Sequence, residues 1–216
     1  MTAPARDGAA GDGVTLLWIP VGAGGRVVPV CGRWYETLVA HRERRRPRPL
    51  FHAALQVRCG GVPYCVEMAP VWSDGAPDRG VVVDGPVWSP LLGRSRLFRY
   101  EVRCWRHGRI PDASFAVGAP VVVTGDGAVA ERLLRQIRTV PPLTWGRDEV
   151  RCGDMWNSNS LVSWLLVRSG VDAGRIAPPS GGRAPGWRAG LVLAARADRT
   201  AATSGRAKPG PSPGID

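Results

Sequence analysis

The alternation of apolar and polar residues predicts a series of short strands. The segments with this pattern are 15–21, 26–30, 50–57, 64–71, 80–87, 97–106 and 121–123. Glycines between the first two segments, and Gly60 with Gly61 further on, are typical of tight hairpin turns. Since hairpin-linked strands pair in an antiparallel manner, we expect an α+β fold in which one antiparallel sheet packs against helices.

Three segments instead show helical spacing. Residues 33–45 and 127–138 carry apolar side chains three and four positions apart, and prolines follow both segments. A third helix begins near residue 158, where Ser158 shares one face with Leu161 and Leu165. We expect this third helix to be central, with one or two further helices beside it.

The length of 216 residues fits a single domain. We predict a disordered N-terminus over residues 1–12, one α+β domain over 13–196, and a disordered tail rich in Gly, Pro, Ser and Arg over 197–216. No apolar run is long enough to span a membrane. The apolar stretch 14–21 is short and follows acidic rather than basic residues, so we expect no signal peptide and a cytoplasmic location.

The five cysteines are odd in number and irregular in spacing, and no two of them form a C-x-x-C pair. Only three histidines accompany them. We therefore expect neither a zinc site nor a disulfide framework, and we expect free thiols.

The net charge is +11, and Lys208 is the only lysine. Because the arginines are spread along the chain, a general compositional bias explains most of this charge. One dense cluster stands apart: Arg42, Arg44, Arg45, Arg46 and Arg48. It is the place where an anionic partner such as nucleic acid or an anionic surface would bind.

His52 and Glu67 are the first candidates for chemistry. His52 alternates with Ala54 and Gln56 on the less apolar face of its strand, where a general base would have room to work. Glu67 lies on the next strand, roughly opposite, and would fix the imidazole tautomer. The simpler alternatives are a packed histidine bonded to a backbone carbonyl, and a glutamate paired with an arginine.

Ser158 is the candidate nucleophile. The start of a helix offers free backbone N–H groups and the positive end of the helix dipole, which favour a developing negative charge. Asn157 and Asn159 flank the serine and would line an oxyanion site, while Trp156 would line an apolar substrate cleft. Alternatively, Asn157 is only a helix cap and Trp156 only a core residue.

The order His52, Glu67, Ser158 resembles that of the circularly permuted papain-like hydrolases, the permuted branch of the NlpC/P60 superfamily. The matching segments are Phe-His-Ala-Ala-Leu at 51–55 and Asn-Ser-Asn-Ser at 157–160. In that family a strand histidine comes first, a polar residue follows on an adjacent strand, and a nucleophilic cysteine comes last at a helix start. The resemblance implies hydrolysis or acyl transfer at an amide or ester, with His52 as base, Glu67 orienting it and Ser158 attacking, and with no metal or organic cofactor.

One departure from the family is decisive for the chemistry. Serine occupies the cysteine position, and an alcohol does not form a stable anion beside a histidine as a thiol does. We therefore favour a degenerate or ligand-binding site over an active serine. The alternatives are a non-catalytic module that keeps the cleft for an amide, ester or peptide-like ligand, and an arginine-rich binder of nucleic acid or anionic surfaces through Arg42 to Arg48.

Overall fold

The computed structural model describes residues 11–22, 36–71 and 80–206. Its strands are β1 (Gly13–Pro20), β2 (Phe51–Cys59), β3 (Val62–Pro70), β4 (Val81–Pro86), β5 (Arg99–Arg106) and β6 (Val121–Thr124). They form one antiparallel sheet in the order β4-β5-β3-β2-β1-β6. The predicted α+β class and antiparallel sheet are confirmed, while the predicted strand at 26–30 lies outside the described residues.

The helices are α1 (the helical residues 36–42), α2 (Gly127–Gln136), α3 (Ser158–Arg168) and α4 (Trp187–Arg206). Helices α2, α3 and α4 contribute buried side chains to one face of the sheet. In the described ranges, none of the helices has the length and apolarity that crossing a bilayer requires.

The main core lies between one face of the sheet and α3. On β2, Phe51, Ala53 and Leu55 are buried on this face, and Leu161 and Leu165 of α3 belong to the same apolar cluster. Burial of one such large side chain contributes about 1.5–3 kcal/mol. The contacts of α3 with β2 and β3 make it the central helix, as its spacing predicts.

The opposite face of the sheet carries a smaller apolar cluster that includes Leu17, Ile19, Ala54 and Cys65. Ile19 pairs directly with His52 across the β1–β2 ladder. Since directly paired residues of an antiparallel sheet point to the same side, His52 belongs to this second face.

Helix α4 packs closely on α3. A Cβ added at Gly190 would lie 2.1 Å from the carbonyl oxygen of Ser160, so only glycine permits this approach. The Ser163 hydroxyl also donates to the carbonyl of Trp187, at 2.8 Å. The Trp187 ring packs near the ring of Trp18, with 5.2 Å between the two ring centroids.

Helix α4 continues to Arg206, ten residues into the segment for which the sequence predicts a disordered tail. Alanines at 197, 201 and 202 favour helix. Asp198 also forms an ion pair with Arg168 of α3, which fixes the helix beyond its first turns. Residues 207–216 lie outside the described residues.

Asp12, at the end of the predicted disordered N-terminus, is hydrogen-bonded to the β2–β3 turn in the structure. Its carboxylate accepts hydrogen bonds from the backbone N–H groups of Gly60 and Gly61, at 2.7 and 3.0 Å. These bonds lower the pKa of Asp12 and fix the β2–β3 turn. Residues 1–10 are outside the described part of the chain.

One end of the sheet gathers the segments that matter below. Pro20, Phe51, Pro70, Pro86 and Arg99 all lie at this end, as the ladder registers show. The α1 connection, the start of α3 and the β4–β5 connection therefore share one end of the sheet, which we call the loop end.

Candidate functional site

The polar run at the start of α3 is first of all a helix cap. The side-chain oxygen of Asn157 accepts hydrogen bonds from the backbone N–H groups of Asn159 and Ser160, at 2.9 and 3.3 Å. The Ser160 hydroxyl accepts one in return from the N–H of Asn157. This reciprocal pattern is a capping box, which accounts for Asn157 and Ser160 without a ligand.

Asn159 joins three segments of the chain. Its side-chain amide donates to the carbonyls of Phe51 and Pro185, at 2.9 and 2.8 Å, and only 2% of the residue is exposed. The Asn157 amide donates to the same Pro185 carbonyl, at 2.8 Å. The amide N–H groups of both asparagines thus tie α3 to β2 and to the loop before α4, rather than standing ready for an oxyanion.

Trp156 does not line a cleft, contrary to the prediction that gives it a substrate contact. It is fully buried in the main core, because the chain turns inward just before α3. Ser158 is also buried, with 5% of the residue exposed. Its hydroxyl makes no hydrogen bond within the part of the chain that the structure describes.

The sheet separates His52 from the face that packs on α3. His52 lies beside Ile19 and Ala54 on the second face, whereas Ser158 begins the helix on the first. Burial lowers the pKa of His52 to about 4. A general base works best when its pKa is close to the operating pH. With a pKa of about 4, His52 is only a weak base near neutral pH. No hydrogen bond within the described ranges links His52 to Ser158 or to Glu67.

Glu67 does not orient His52, so that prediction is wrong and the arginine alternative is the observed one. The β2–β3 ladder ends at Leu55 and Val66, so Glu67 has no partner on β2 in that ladder, while the β3–β5 ladder sets Glu67 opposite Arg103. The Arg103 guanidinium lies 3.1 Å from a Glu67 carboxylate oxygen and 3.1 Å from one of Glu101. Since Arg103 is 0% exposed, these buried charges compensate one another inside the protein.

A different set of side chains surrounds an open cavity at the loop end. The cavity measures about 500 Å³, a volume in the range of small-ligand sites. It lies between α1, the loop before α3 and the loop before α4. Its lining residues are Val39, Arg42, Glu43, Gly153, Asp154, Arg183, Ala184, Pro185 and Arg188. We call this cavity the arginine groove.

Arg183 is the fixed cation of the arginine groove. Its guanidinium lies 3.1 Å from a carboxylate oxygen of Glu36 and 3.7 Å from one of Glu43. Glu36 is itself buried and also accepts from the backbone N–H of Arg48, at 2.9 Å, and from the Arg45 guanidinium. The buried carboxylate therefore holds Arg183 in place.

Arg42 and Arg188 are the open cations of the groove. Both are exposed, and neither forms an ion pair with any residue that the structure describes. Arginine offers up to five N–H donors in a planar fork that matches phosphate and carboxylate oxygens. The groove thus combines one anchored guanidinium with two that are available to a ligand.

Asp154 is acidic but serves the protein backbone. Its two carboxylate oxygens accept from the N–H groups of Gly186, at 2.7 Å, and Arg188, at 3.2 Å, which caps the start of α4. Burial raises the pKa of Asp154, and the backbone hydrogen bonds oppose this rise.

The predicted arginine cluster divides in the structure. Arg45 is bound to Glu36 and Glu43, so its charge is compensated. The other four arginines of the cluster, Arg42, Arg44, Arg46 and Arg48, are exposed. Arg183 and Arg188 were not predicted from the sequence, because they lie within and just after an irregular Gly/Pro-rich stretch more than a hundred residues after the cluster.

Comparisons with protein-family models, with curated proteins and with solved structures find no match for this chain. The four cysteines in the described ranges, Cys59, Cys65, Cys104 and Cys152, are free thiols. Those ranges also contain no group of three His, Cys, Asp or Glu side chains placed to hold a metal.

Proposed function

We propose that this chain is a non-catalytic binding module whose arginine groove holds a phosphate-bearing ligand. The observation that carries the proposal is the convergence of Arg42, Arg183 and Arg188 on one cavity of about 500 Å³. These residues come from distant parts of the sequence, so the fold rather than local composition creates the cluster. Charge-assisted hydrogen bonds from arginine to phosphate are among the strongest that proteins form.

The three guanidinium groups have different roles in this proposal. Arg183 sets the position of the anion because Glu36 fixes its side chain. Arg42 and Arg188 close on the ligand from the two sides of the groove and supply the uncompensated charge. Glu43 partly neutralises Arg183 and so moderates the affinity.

The permuted papain-like hydrolase stays a prediction. The Ser158 hydroxyl supports it, because this group lies at a helix start and makes no hydrogen bond to a described residue. The position of His52 on the other face of the sheet argues against it. A fluorophosphonate probe separates the two functions, because it labels a serine only where a base activates it. We expect no labelling of Ser158; labelling that is lost in both Ser158→Ala and His52→Ala would favour the hydrolase instead.

Calorimetric titration of the full chain with inorganic pyrophosphate tests the binding function. We expect saturable binding at low ionic strength that weakens as salt is added, since exposed charges are screened. The double variant Arg42→Gln/Arg188→Gln should bind at least about tenfold more weakly, because each lost charge-assisted bond contributes roughly 1.5–3 kcal/mol.

A matched control removes two exposed arginines elsewhere. Arg135 on α2 and Arg175 have side chains that are 60% and 87% exposed. Arg135→Gln/Arg175→Gln lowers the net charge by the same amount and should leave pyrophosphate affinity within about twofold, because neither residue lines the groove and exposed charges that do not touch the ligand are weakened by screening. Equal losses in the two double variants would show that only overall charge attracts the anion, and would contradict a site in the groove.

A further inference from the structure

The connection between β4 and β5 is a compact loop rather than a loose one. Its ends meet where the N–H of Val87 donates to the carbonyl of Phe98, at 2.8 Å. Two 3₁₀ turns fill the space between, Leu92–Arg94 and Arg96–Phe98. Gly93 packs on Pro86 so closely that an added Cβ would lie 2.6 Å from the proline ring. We call residues 88–98 the apolar loop.

The apolar loop exposes its large hydrophobic side chains. Trp88 is 66% exposed and Leu91 is 75% exposed. The other exposed hydrophobic residues of the loop are Leu92, Leu97 and Phe98. Because backbone hydrogen bonds fix the loop, these side chains are exposed in the folded structure. Several exposed hydrophobic side chains close together in one loop are typical of an interaction surface.

Trp88 adds a second, independent sign of function. Its φ is +66°, a left-handed conformation that bulky residues rarely adopt. The N–H of Trp88 is held there by the carbonyl of Trp145, at 2.8 Å. Unfavourable backbone conformations persist where the surrounding structure enforces them, and they concentrate at functional positions. Here the enforced conformation accompanies a tryptophan that is mostly in solvent.

The charge of the loop indicates what kind of partner it fits. Arg94 and Arg96 are exposed between the apolar residues. No acidic residue occurs from Gly85 to Tyr100. Arg99, at the start of β5, is bound to Asp84 and to the carbonyl of Gly93, so it supports the loop from beneath. The exposed surface of the loop thus combines apolar side chains with positive charges and carries no negative charge of its own.

We propose that the apolar loop docks this protein on the surface of an anionic lipid bilayer. Tryptophan prefers the headgroup region, and leucine and phenylalanine favour the acyl boundary below it. Arginines at the same level attract anionic headgroups while their stems lie along apolar surface. A protein partner would have to supply acidic side chains around an apolar pocket, whereas a bilayer containing phosphatidylserine supplies both features in one plane.

The docking proposal does not rest on the arginine groove, although the two are related in space. The apolar loop joins β4 to β5 at the loop end of the sheet, where the α1 connection and the start of α3 also lie. A bilayer that meets the loop end would therefore bring the exposed arginines of 42–48 toward the same anionic surface.

Vesicle flotation of the full chain tests the docking proposal. We expect the protein to float with vesicles of phosphatidylcholine and phosphatidylserine, and only weakly with phosphatidylcholine alone. Arg94→Gln/Arg96→Gln should reduce partitioning to the anionic vesicles about 30-fold, at roughly fivefold per arginine, and hardly change partitioning to neutral ones. Leu91→Ser/Leu97→Ser should reduce partitioning to both by at least about tenfold.

Controls come from equally exposed residues outside the loop. Val122 on β6 is 73% exposed, so Val122→Ser should float like the parent protein. Arg135→Gln/Arg175→Gln controls for net charge, and all loop variants should keep pyrophosphate binding. Failure of the parent protein to float with phosphatidylserine vesicles, or full flotation of both loop variants, would overturn the proposal. Loss of self-association in the loop variants without any flotation would also overturn it, by assigning the loop to a protein interface.

Discussion

The start of α3 and the arginine groove are neighbours, yet they use their polar side chains in opposite ways. At the start of α3, the amide N–H groups of Asn157 and Asn159 bind backbone carbonyls of the same protein. In the groove, Arg42 and Arg188 are exposed to solvent. The two regions meet at Pro185. Its carbonyl accepts hydrogen bonds from both asparagines, and the same residue lines the groove.

Polar composition alone does not identify a binding site in this protein. The Asn-Ser-Asn-Ser run is dense in the residue types that catalysis uses, but folding consumes most of its hydrogen-bonding capacity. In the groove, by contrast, Arg42 and Arg188 form no ion pair with any residue that the structure describes, so two of its three guanidinium groups remain available. A ligand can only use the second kind of region, because a group already satisfied inside the protein has little to gain from binding.

The largest expected effect concerns the buried Arg103, the inward counterpart of the groove arginines. Arg103→Met leaves the carboxylates of Glu67 and Glu101 buried without this cation, so the free energy of unfolding should fall by about 3–5 kcal/mol. Chemical denaturation measures the loss. The variant Glu67→Gln/Arg103→Met/Glu101→Gln should recover part of it, and no recovery would argue that Arg103 contributes by packing alone.

The next effect separates two adjacent residues at the start of α3. Asn159→Ala removes the donor to the buried carbonyl of Phe51 and should cost about 2–3 kcal/mol of stability. Ser158→Ala removes a hydroxyl without a hydrogen bond in the described ranges and should cost no more than about 0.5 kcal/mol. Thermal unfolding of the two variants provides the comparison. A larger loss for Ser158→Ala would contradict the assignment of Asn159 as the structural member of the pair.

A smaller effect depends on pH and on the second face of the sheet. The folded-state pKa of His52 is about 4, below its ordinary value of 6.5, so the unfolded chain binds more protons between these values. The free energy of unfolding should therefore keep its full value above pH 6.5 and fall as the pH drops toward 4. The difference between the two pKa values of His52 corresponds to about 3 kcal/mol. Because the His52 side chain is partly exposed, we expect a smaller loss of stability, about 1–2 kcal/mol. In His52→Gln this part of the pH dependence should disappear; an unchanged profile would show that other groups cause it.

The smallest effect is a gain rather than a loss. Glu43→Gln removes an exposed carboxylate that lies 3.7 Å from the Arg183 guanidinium. With less opposing charge, pyrophosphate should bind about two- to fivefold more tightly, a change of roughly 0.5–1 kcal/mol. Titration against Glu131→Gln, which removes an exposed carboxylate of α2 outside the groove lining, supplies the control. Weaker binding by Glu43→Gln would mean that Glu43 positions Arg183 instead of opposing the ligand.

The strands and three of the helices follow from the sequence because their signals are local. Alternation over β2 and β3, and the glycines between them, lie within a single hairpin. The pairing of Glu67 with Arg103 does not follow, because the residues are 36 positions apart and only the β3–β5 register sets them opposite each other.

Helix α4 and the arginine groove were not predicted from the sequence. The helix lies in sequence between the Gly/Pro-rich stretch at 181–186 and a tail of similar composition, so breaker residues dominate the local signal. Its stability comes instead from packing on α3 through Gly190 and from the ion pair of Asp198 with Arg168. The arginine groove depends on the start of this helix and was missed together with it.

Crystals of the full chain soaked in tungstate, a heavy analogue of phosphate, would show whether the arginine groove binds an anion. The anomalous signal locates the anion without assumptions about the site. We predict one strong peak in the arginine groove, within hydrogen-bonding distance of Arg183 and of Arg42 or Arg188. A strong peak at the start of α3 beside Ser158, or none in a groove that neighbouring molecules leave open, would contradict the account.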